Sequence, residues 1–141
     1  MLNGIPRIIP PELLKILAEM GHGDEIVLAD GNFPAVSMGQ RVVRCDGSGA
    51  PELLDAILQL FPLDTFVPKP VGFMQVVPGD PYKPEIWEEY RRVFARHGYD
   101  DPVEYVERFA FYDRTRQAYA VVAAGEMARY ANVILKKGII E

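Results

Sequence analysis

The run Ile26-Val27-Leu28-Ala29, entered through Glu25, constrains this chain more than any other segment. It is short, β-prone and apolar at consecutive positions, whereas a strand with one wet face alternates apolar and polar residues. Such a strand needs cover on both faces. A sheet with helices packed on either side supplies that cover, and the flanking segments read as helices. The expectation is an α/β chain: a single layered α/β/α domain with a mixed β-sheet, spanning residues 1–141.

Local signals fill in this frame. Pro10-Pro11-Glu12 opens a helix, because proline is tolerated in the first turn and Glu12 suits the positive end of the dipole. Leu13, Leu14, Leu17 and Met20 continue it at helical spacing, and Gly21 reads as its C-terminal cap. Residues 41–45 read as a second strand, followed by an Asp46-Gly47-Ser48-Gly49 turn. A helix then starts at Pro51 and carries Leu53, Leu54, Ile57, Leu58 and Phe61. Residues 71–77 read as a strand and residues 84–97 as an amphipathic helix capped by Gly98. Further on, 103–108 reads as a strand, 110–117 as a short helix, and 119–124 and 132–135 as strands. The close spacing of the last two strands suggests an antiparallel pair, which makes the sheet mixed.

Composition excludes several classes of function. The chain has 141 residues, 49% hydrophobic and 25% charged, which suits one compact core. Its formal net charge of −5, with Lys and Arg scattered, offers no electrostatic footprint for nucleic acid. No apolar stretch approaches the ~18 residues that a membrane span needs. The one cysteine, Cys45, reads as a small hydrophobe at a strand end and fits a reducing compartment, so a soluble cytoplasmic protein is expected.

The polar residues then divide into candidates. His22, between Gly21 and Gly23, is either a loop cap or a proton-transfer group. The second reading rests on an imidazole that titrates near neutrality and on glycines that let backbone approach a ligand. Asp30, at the carboxyl end of the apolar strand, either caps the next loop or serves a site there. Asp24 reads as the closure of an Asx-type turn. His97, beside a helix C-terminus, fits the dipole. His22, Asp24 and Asp30 show no metal-ligand spacing, so no metal is expected. Gly47-Ser48-Gly49 reads as a capped turn or as a phosphate loop, although it lacks both the full G-x-G-x-x-G and a P-loop lysine. Lys136-Lys137 reads as a solvated strand end. Arg108 and Tyr130-Ala131-Asn132 offer a guanidinium, a ring face, a hydroxyl and an amide, a mixture suited to a polyhydroxylated ligand. Each of these residues fits a structural hydrogen-bonding role equally well.

Taken in order, these segments resemble the L-fucose mutarotase family, which is related to the D-ribose pyranases. The likeness covers essentially the whole length. It rests on Pro11-Glu12-Leu13-Leu14-Lys15, on Met20-Gly21-His22-Gly23-Asp24-Glu25-Ile26 through Asp30 and Phe33-Pro34, and on Arg108-Phe109-Ala110-Phe111-Tyr112. Gly125-Glu126, Tyr130-Ala131-Asn132 and Leu135-Lys136-Lys137-Gly138 complete it. The resemblance implies that His22 is the proton donor and that Asp30, Arg108, Tyr130, Ala131 and Asn132 bind the sugar. Arg108 stands where the ribose branch typically has histidine, and Ala131 stands where some fucose-type sequences carry glycine. The implied reaction is anomer interconversion of a free monosaccharide, L-fucose first, by acid/base ring opening and closure. It needs no cofactor, since no electrons move. Ring-shaped homo-oligomers, commonly decamers with active sites near subunit boundaries, are implied as well. The competing expectations are a D-ribose pyranase, a non-catalytic sugar-binding accessory of an uptake system, and a phosphate-handling enzyme built on Gly47-Ser48-Gly49.

Overall fold

The computed structural model describes residues 1–141. In chain order the elements are α1 (Pro11–Glu19), β1 (Glu25–Ala29), α2 (Ala35–Met38), β2 (Val42–Cys45), α3 (Ala50–Leu58) and β3 (Val71–Met74). They continue as α4 (Ile86–Arg96), β4 (Val103–Val106), α5 (Arg108–Gln117), β5 (Ala120–Ala124) and β6 (Val133–Lys136). The strands form one six-stranded sheet in the order β2-β5-β1-β6-β3-β4. The β1–β5, β2–β5 and β3–β4 pairs are parallel, and β6 runs antiparallel to both β1 and β3. The sheet is mixed, as expected, but by a different route: β5 and β6 do not pair, because β1 lies between them.

Strand β1 shows why its sequence is apolar throughout. Successive side chains point to opposite faces. Ile26 and Leu28 join one buried cluster, which takes Leu13 and Leu17 of α1, Leu53 and Ile57 of α3, and Tyr90 and Phe94 of α4. Val27 and Ala29 join the other, with Ala35 of α2 and Phe111 of α5. The result is an α/β/α sandwich. Each fully buried large apolar side chain contributes about 1.5–3 kcal/mol, so this double-faced burial dominates the stability of the central strand.

Several local expectations need correction. Helix α1 ends at an extended Met20, whose N–H reaches the Ile16 carbonyl, and Gly21 makes no left-handed cap; the positive φ falls instead on Gly23, at 85°. Strand β3 stops at Met74, short of Val77, and α5 starts at Arg108, so the preceding strand ends at Val106. The four-residue helix α2 was not anticipated. The phosphate-loop reading fails on geometry. The first amides of α3 are already occupied: the Gly49 N–H donates to Glu52 at 2.9 Å and the Ala50 N–H to Glu126 at 3.0 Å. No helix is long and apolar enough to cross a membrane.

The arrangement that matters for function follows from strand direction. Five strands share one direction, so their carboxyl ends, and the residues Asp30, Asp46, Glu107 and Glu126 just beyond β1, β2, β4 and β5, lie along one edge of the sheet. Because β6 is reversed, its start brings Asn132 to that same edge. Open α/β sheets bind ligands at this edge.

Candidate active site

Asp30 is the carboxylate most deeply set in the edge, only 8% exposed. Its Oδ1 accepts the Asn32 N–H at 2.9 Å, a tight turn that follows from Asp30-Gly31-Asn32. Its own N–H donates to Asn132 Oδ1 at 2.8 Å, across the β1–β6 seam. Burial pushes the Asp30 carboxyl above its ordinary range. The N–H groups of Asn32 and Phe33 and the Asn132 side chain oppose that shift, and the charge of Glu126 adds to it. A carboxyl held this way is equipped to accept or exchange a proton with a hydroxyl placed against it.

Tyr130 stands opposite on strained backbone, with φ at 57°, a left-handed conformation rare outside glycine. Four hydrogen bonds hold this segment in place. The Trp87 indole N–H donates to the Tyr130 carbonyl at 2.8 Å, and the Tyr90 hydroxyl donates to the Ala131 carbonyl at 2.7 Å. The Tyr130 hydroxyl donates to Asp80 Oδ2 at 2.6 Å, and Arg129 donates to the same oxygen at 2.7 Å. Asp80 therefore sits below the usual carboxylate range, chiefly through the Tyr130 hydroxyl. The Tyr130 ring also stacks on Tyr82, with centroids 5.9 Å apart.

Asp30, Tyr130 and Asn132 line one cleft of about 230 Å³, with Phe33, Met74 and Tyr112 as its less polar wall. Arg108 does not line this cleft; its Nε donates at 3.1 Å to the hydroxyl of Tyr112, which does, and its own side chain lines a neighbouring pocket of about 180 Å³ with Val77, Glu107 and Phe109. Ala131 is fully buried, and its side chain does not line the cleft. Across the 30–34 loop lies a wider cleft of about 730 Å³, which shares Asp30 and is lined also by Val36, Arg44, Glu126 and Met127. No group of three or more His, Cys, Asp or Glu side chains is gathered to hold a metal ion.

His22 is not in the cleft. It precedes β1 while Asp30 follows it, and the five strand residues alone separate the two ends by roughly 16 Å at ~3.3 Å per residue. At this opposite edge the imidazole Nε2 lies 3.0 Å from Asp64 Oδ1, and the ring packs on Phe66 with centroids 5.1 Å apart. Asp64 is buried, with a carboxyl below its usual range through the Phe66 N–H first and then His22. Asp24 is structural: its Oδ2 accepts the Gly21 N–H at 2.7 Å, a bond to the preceding turn instead of the following one. His97 caps α4 and pairs with Asp55 at 2.8 Å.

Sequence reasoning missed Asp64, Asp80, Trp87, Tyr90 and Arg129. Each reaches its partner from a distant part of the chain or from a proline-rich loop without periodicity. Tyr112 was visible only as the end of the Arg108–Tyr112 run.

Comparison with known proteins covers nearly the whole chain. Residues 3–140 match the model of the RbsD / FucU transport protein family. The L-fucose mutarotase of Actinobacillus pleuropneumoniae serotype 5b is 53% identical over 140 residues, covering 99% of this chain and 97% of its own. The human fucose mutarotase is 49% identical over 145 residues, covering 99% and 94%. The fucose mutarotase of Streptococcus pneumoniae, solved in complex with L-fucose, superposes with a TM-score of 0.96 at 52% identity, covering 99% of this chain and all of its own. A family match over residues 3–140, beside full-length relatives about half identical to it, makes this chain a member of the RbsD / FucU family.

Proposed function

We propose that this protein is a cofactor-independent mutarotase that interconverts the α and β anomers of a free monosaccharide, L-fucose first. The observation that carries the reading is the cleft of Asp30, Tyr130 and Asn132 at the carboxyl edge, in a chain about half identical over its full length to fucose mutarotases. The carboxylate and the tyrosine oxygen face a ligand mainly as acceptors, because the Tyr130 proton is committed to Asp80. Sugar hydroxyls supply the matching donors, and Arg108 beside Tyr112 supplies donors to a sugar oxygen. Phe33 and Met74 give the less polar wall a C–H face prefers.

Ring opening needs one proton delivered to the ring oxygen and one removed from the anomeric hydroxyl. C1 then becomes a carbonyl, rotation about C1–C2 exposes its other face, and closure reverses the proton movements. In our reading His22 gives the proton on opening and takes it back on closure. Asp30 holds the anomeric hydroxyl or receives its proton, and Arg108, Tyr130 and Asn132 position the remaining oxygens.

His22 and Asp30 occupy opposite sheet edges, so we assign the His22 of one copy to the cleft of another, within a ring-shaped homo-oligomer of the decameric kind. Exposed apolar residues support such packing: Val36 and Met127 beside Asp30, and Phe66 beside His22. The 141 residues act as one domain, and the cytoplasm is the proposed setting, in keeping with the single free Cys45.

Saturation-difference NMR on α- and β-L-fucose tests the reading, with D-ribose and galactose alongside. The wild type should speed fucose exchange above the buffer rate and more than ribose exchange. The variant His22→Ala should lose about 10²–10⁴-fold of that acceleration while remaining folded. Fucose exchange at the buffer rate with the wild type would refute the proposal; undiminished exchange with His22→Ala would remove His22 from it.

A further inference from the structure

Arg129 is the one cationic side chain among the residues that line the cleft of Asp30, Tyr130 and Asn132. Its place is fixed although 59% of its side chain is exposed. Its Nη2 donates to Asp80 Oδ2 at 2.7 Å, and its guanidinium carbon lies over the face of Tyr82, 4.6 Å from the ring centroid. Asp80 is itself tied down: its Oδ1 accepts the Tyr82 N–H at 2.9 Å, and its own N–H donates to the Val77 carbonyl at 3.0 Å. One guanidinium nitrogen is committed to this anchor, which leaves Nε and Nη1 to donate elsewhere. The same Asp80 Oδ2 takes the Tyr130 hydroxyl proton at 2.6 Å. Two bonds to one oxygen make the phenol oxygen and the guanidinium neighbours. With its proton committed, the phenol oxygen can only accept, while the guanidinium can only donate. This lip of the cleft presents an acceptor and a charged donor side by side.

We infer that Arg129 is a further sugar-binding residue and that, with Tyr130, it selects ligands carrying a vicinal diol. Two hydroxyls on adjacent carbons complement the pair. One gives its proton to the Tyr130 oxygen, and the oxygen of the other takes an N–H of Arg129. A lone alcohol fills only half of it. The inference rests on the mutarotase reading for the diol's owner, a free monosaccharide, but not for the donor–acceptor pair itself. The Arg129 bond is charge-assisted and so stronger than its neutral counterparts in the cleft. With the anomeric hydroxyl assigned to Asp30, the diol lies away from C1, and its two bonds persist through ring opening and closure. Binding of that kind is equal in the ground and transition states, so it sets KM and leaves kcat alone. Lysine in place of Arg129 would still pair with Asp80, but as a point charge without the planar fork that reaches a second oxygen.

Calorimetric titration with L-fucose and with its 2-, 3- and 4-deoxy analogues, beside NMR exchange rates, tests the inference on the full-length protein. In the wild type, removal of either of two neighbouring hydroxyls should weaken binding about tenfold. Arg129→Ala should bind fucose about tenfold more weakly, raise KM by the same factor and keep kcat within about twofold. The penalty for one of the two deoxy sugars should vanish in Arg129→Ala, and the penalty for its neighbour in Tyr130→Phe. Arg129→Lys should restore the thermal stability that the Asp80 pair supplies without restoring sugar affinity, which a purely structural ion pair would not do. Wild-type affinity for fucose in Arg129→Ala, full recovery of affinity in Arg129→Lys, or deoxy penalties that stay the same in Arg129→Ala would each overturn the inference. Arg129-dependent diol binding by a protein that accelerates no anomer exchange would overturn the mutarotase reading and leave the inference standing. Fast exchange with Arg129-independent binding would do the reverse.

Discussion

At the scale of single residues, the cleft is built from groups held in states they would not choose alone. Asp30 keeps a carboxyl where burial disfavours its charge. The linkage has a definite sign. A carboxyl whose folded-state pKa is raised binds protons more tightly in the folded chain, so its contribution to stability falls as pH rises through that pKa. Asp30→Asn removes this penalty while keeping the oxygen that accepts the Asn32 N–H. We expect that variant to melt at neutral pH no lower than the wild type and to lose fucose exchange, with thermal melts and NMR exchange as the readouts; a lowered melting temperature would show that the charge is stabilising. Tyr130 makes the complementary case. Its left-handed backbone costs about 1–3 kcal/mol, which the Trp87 and Tyr90 bonds to carbonyls 130 and 131 offset. Trp87→Phe removes one such donor and should cost about 1 kcal/mol in chemical denaturation while raising KM for fucose more than it lowers kcat.

At the scale of elements, legibility followed burial. Strand β1 is legible at its observed bounds because four consecutive apolar residues admit few alternatives to a strand covered on both faces. Helix α5 was harder, since it buries only Phe111 and Thr115 and so carries a weak periodic signal. Helix α2 is four residues long after Pro34, too short to show any period. Closeness in sequence suggests a β5–β6 pairing, but the sheet inserts β1 between them, and no local pattern encodes strand order. Close approach can be tested directly. A Cβ on Gly125, at the end of β5, would lie 2.0 Å from the Asp46 carbonyl oxygen, a backbone atom that cannot swing aside. Gly125→Ala should therefore destabilise the fold by more than about 2 kcal/mol in urea titration, well beyond the usual surface substitution.

At the scale of the whole molecule, the sequence named a histidine and an aspartate eight positions apart and made them look like partners. A strand between them forbids that within one chain. The sheet instead brings Asp30 to Tyr130 and Asn132, about a hundred positions away, because β6 runs antiparallel beside β1. What was legible was the chemistry of each group; which groups meet depended on strand order and, in our account, on a second copy of the chain. One measurement tests this most directly: NMR exchange between α- and β-L-fucose with His22→Ala and Asp30→Ala proteins, each alone and after co-refolding together. Each variant alone should be near the buffer rate. The co-refolded mixture should regain a sizeable fraction of wild-type exchange, because mixed rings pair an intact His22 with an intact Asp30 cleft. A mixture as inactive as its components, beside an active wild type, would contradict the account.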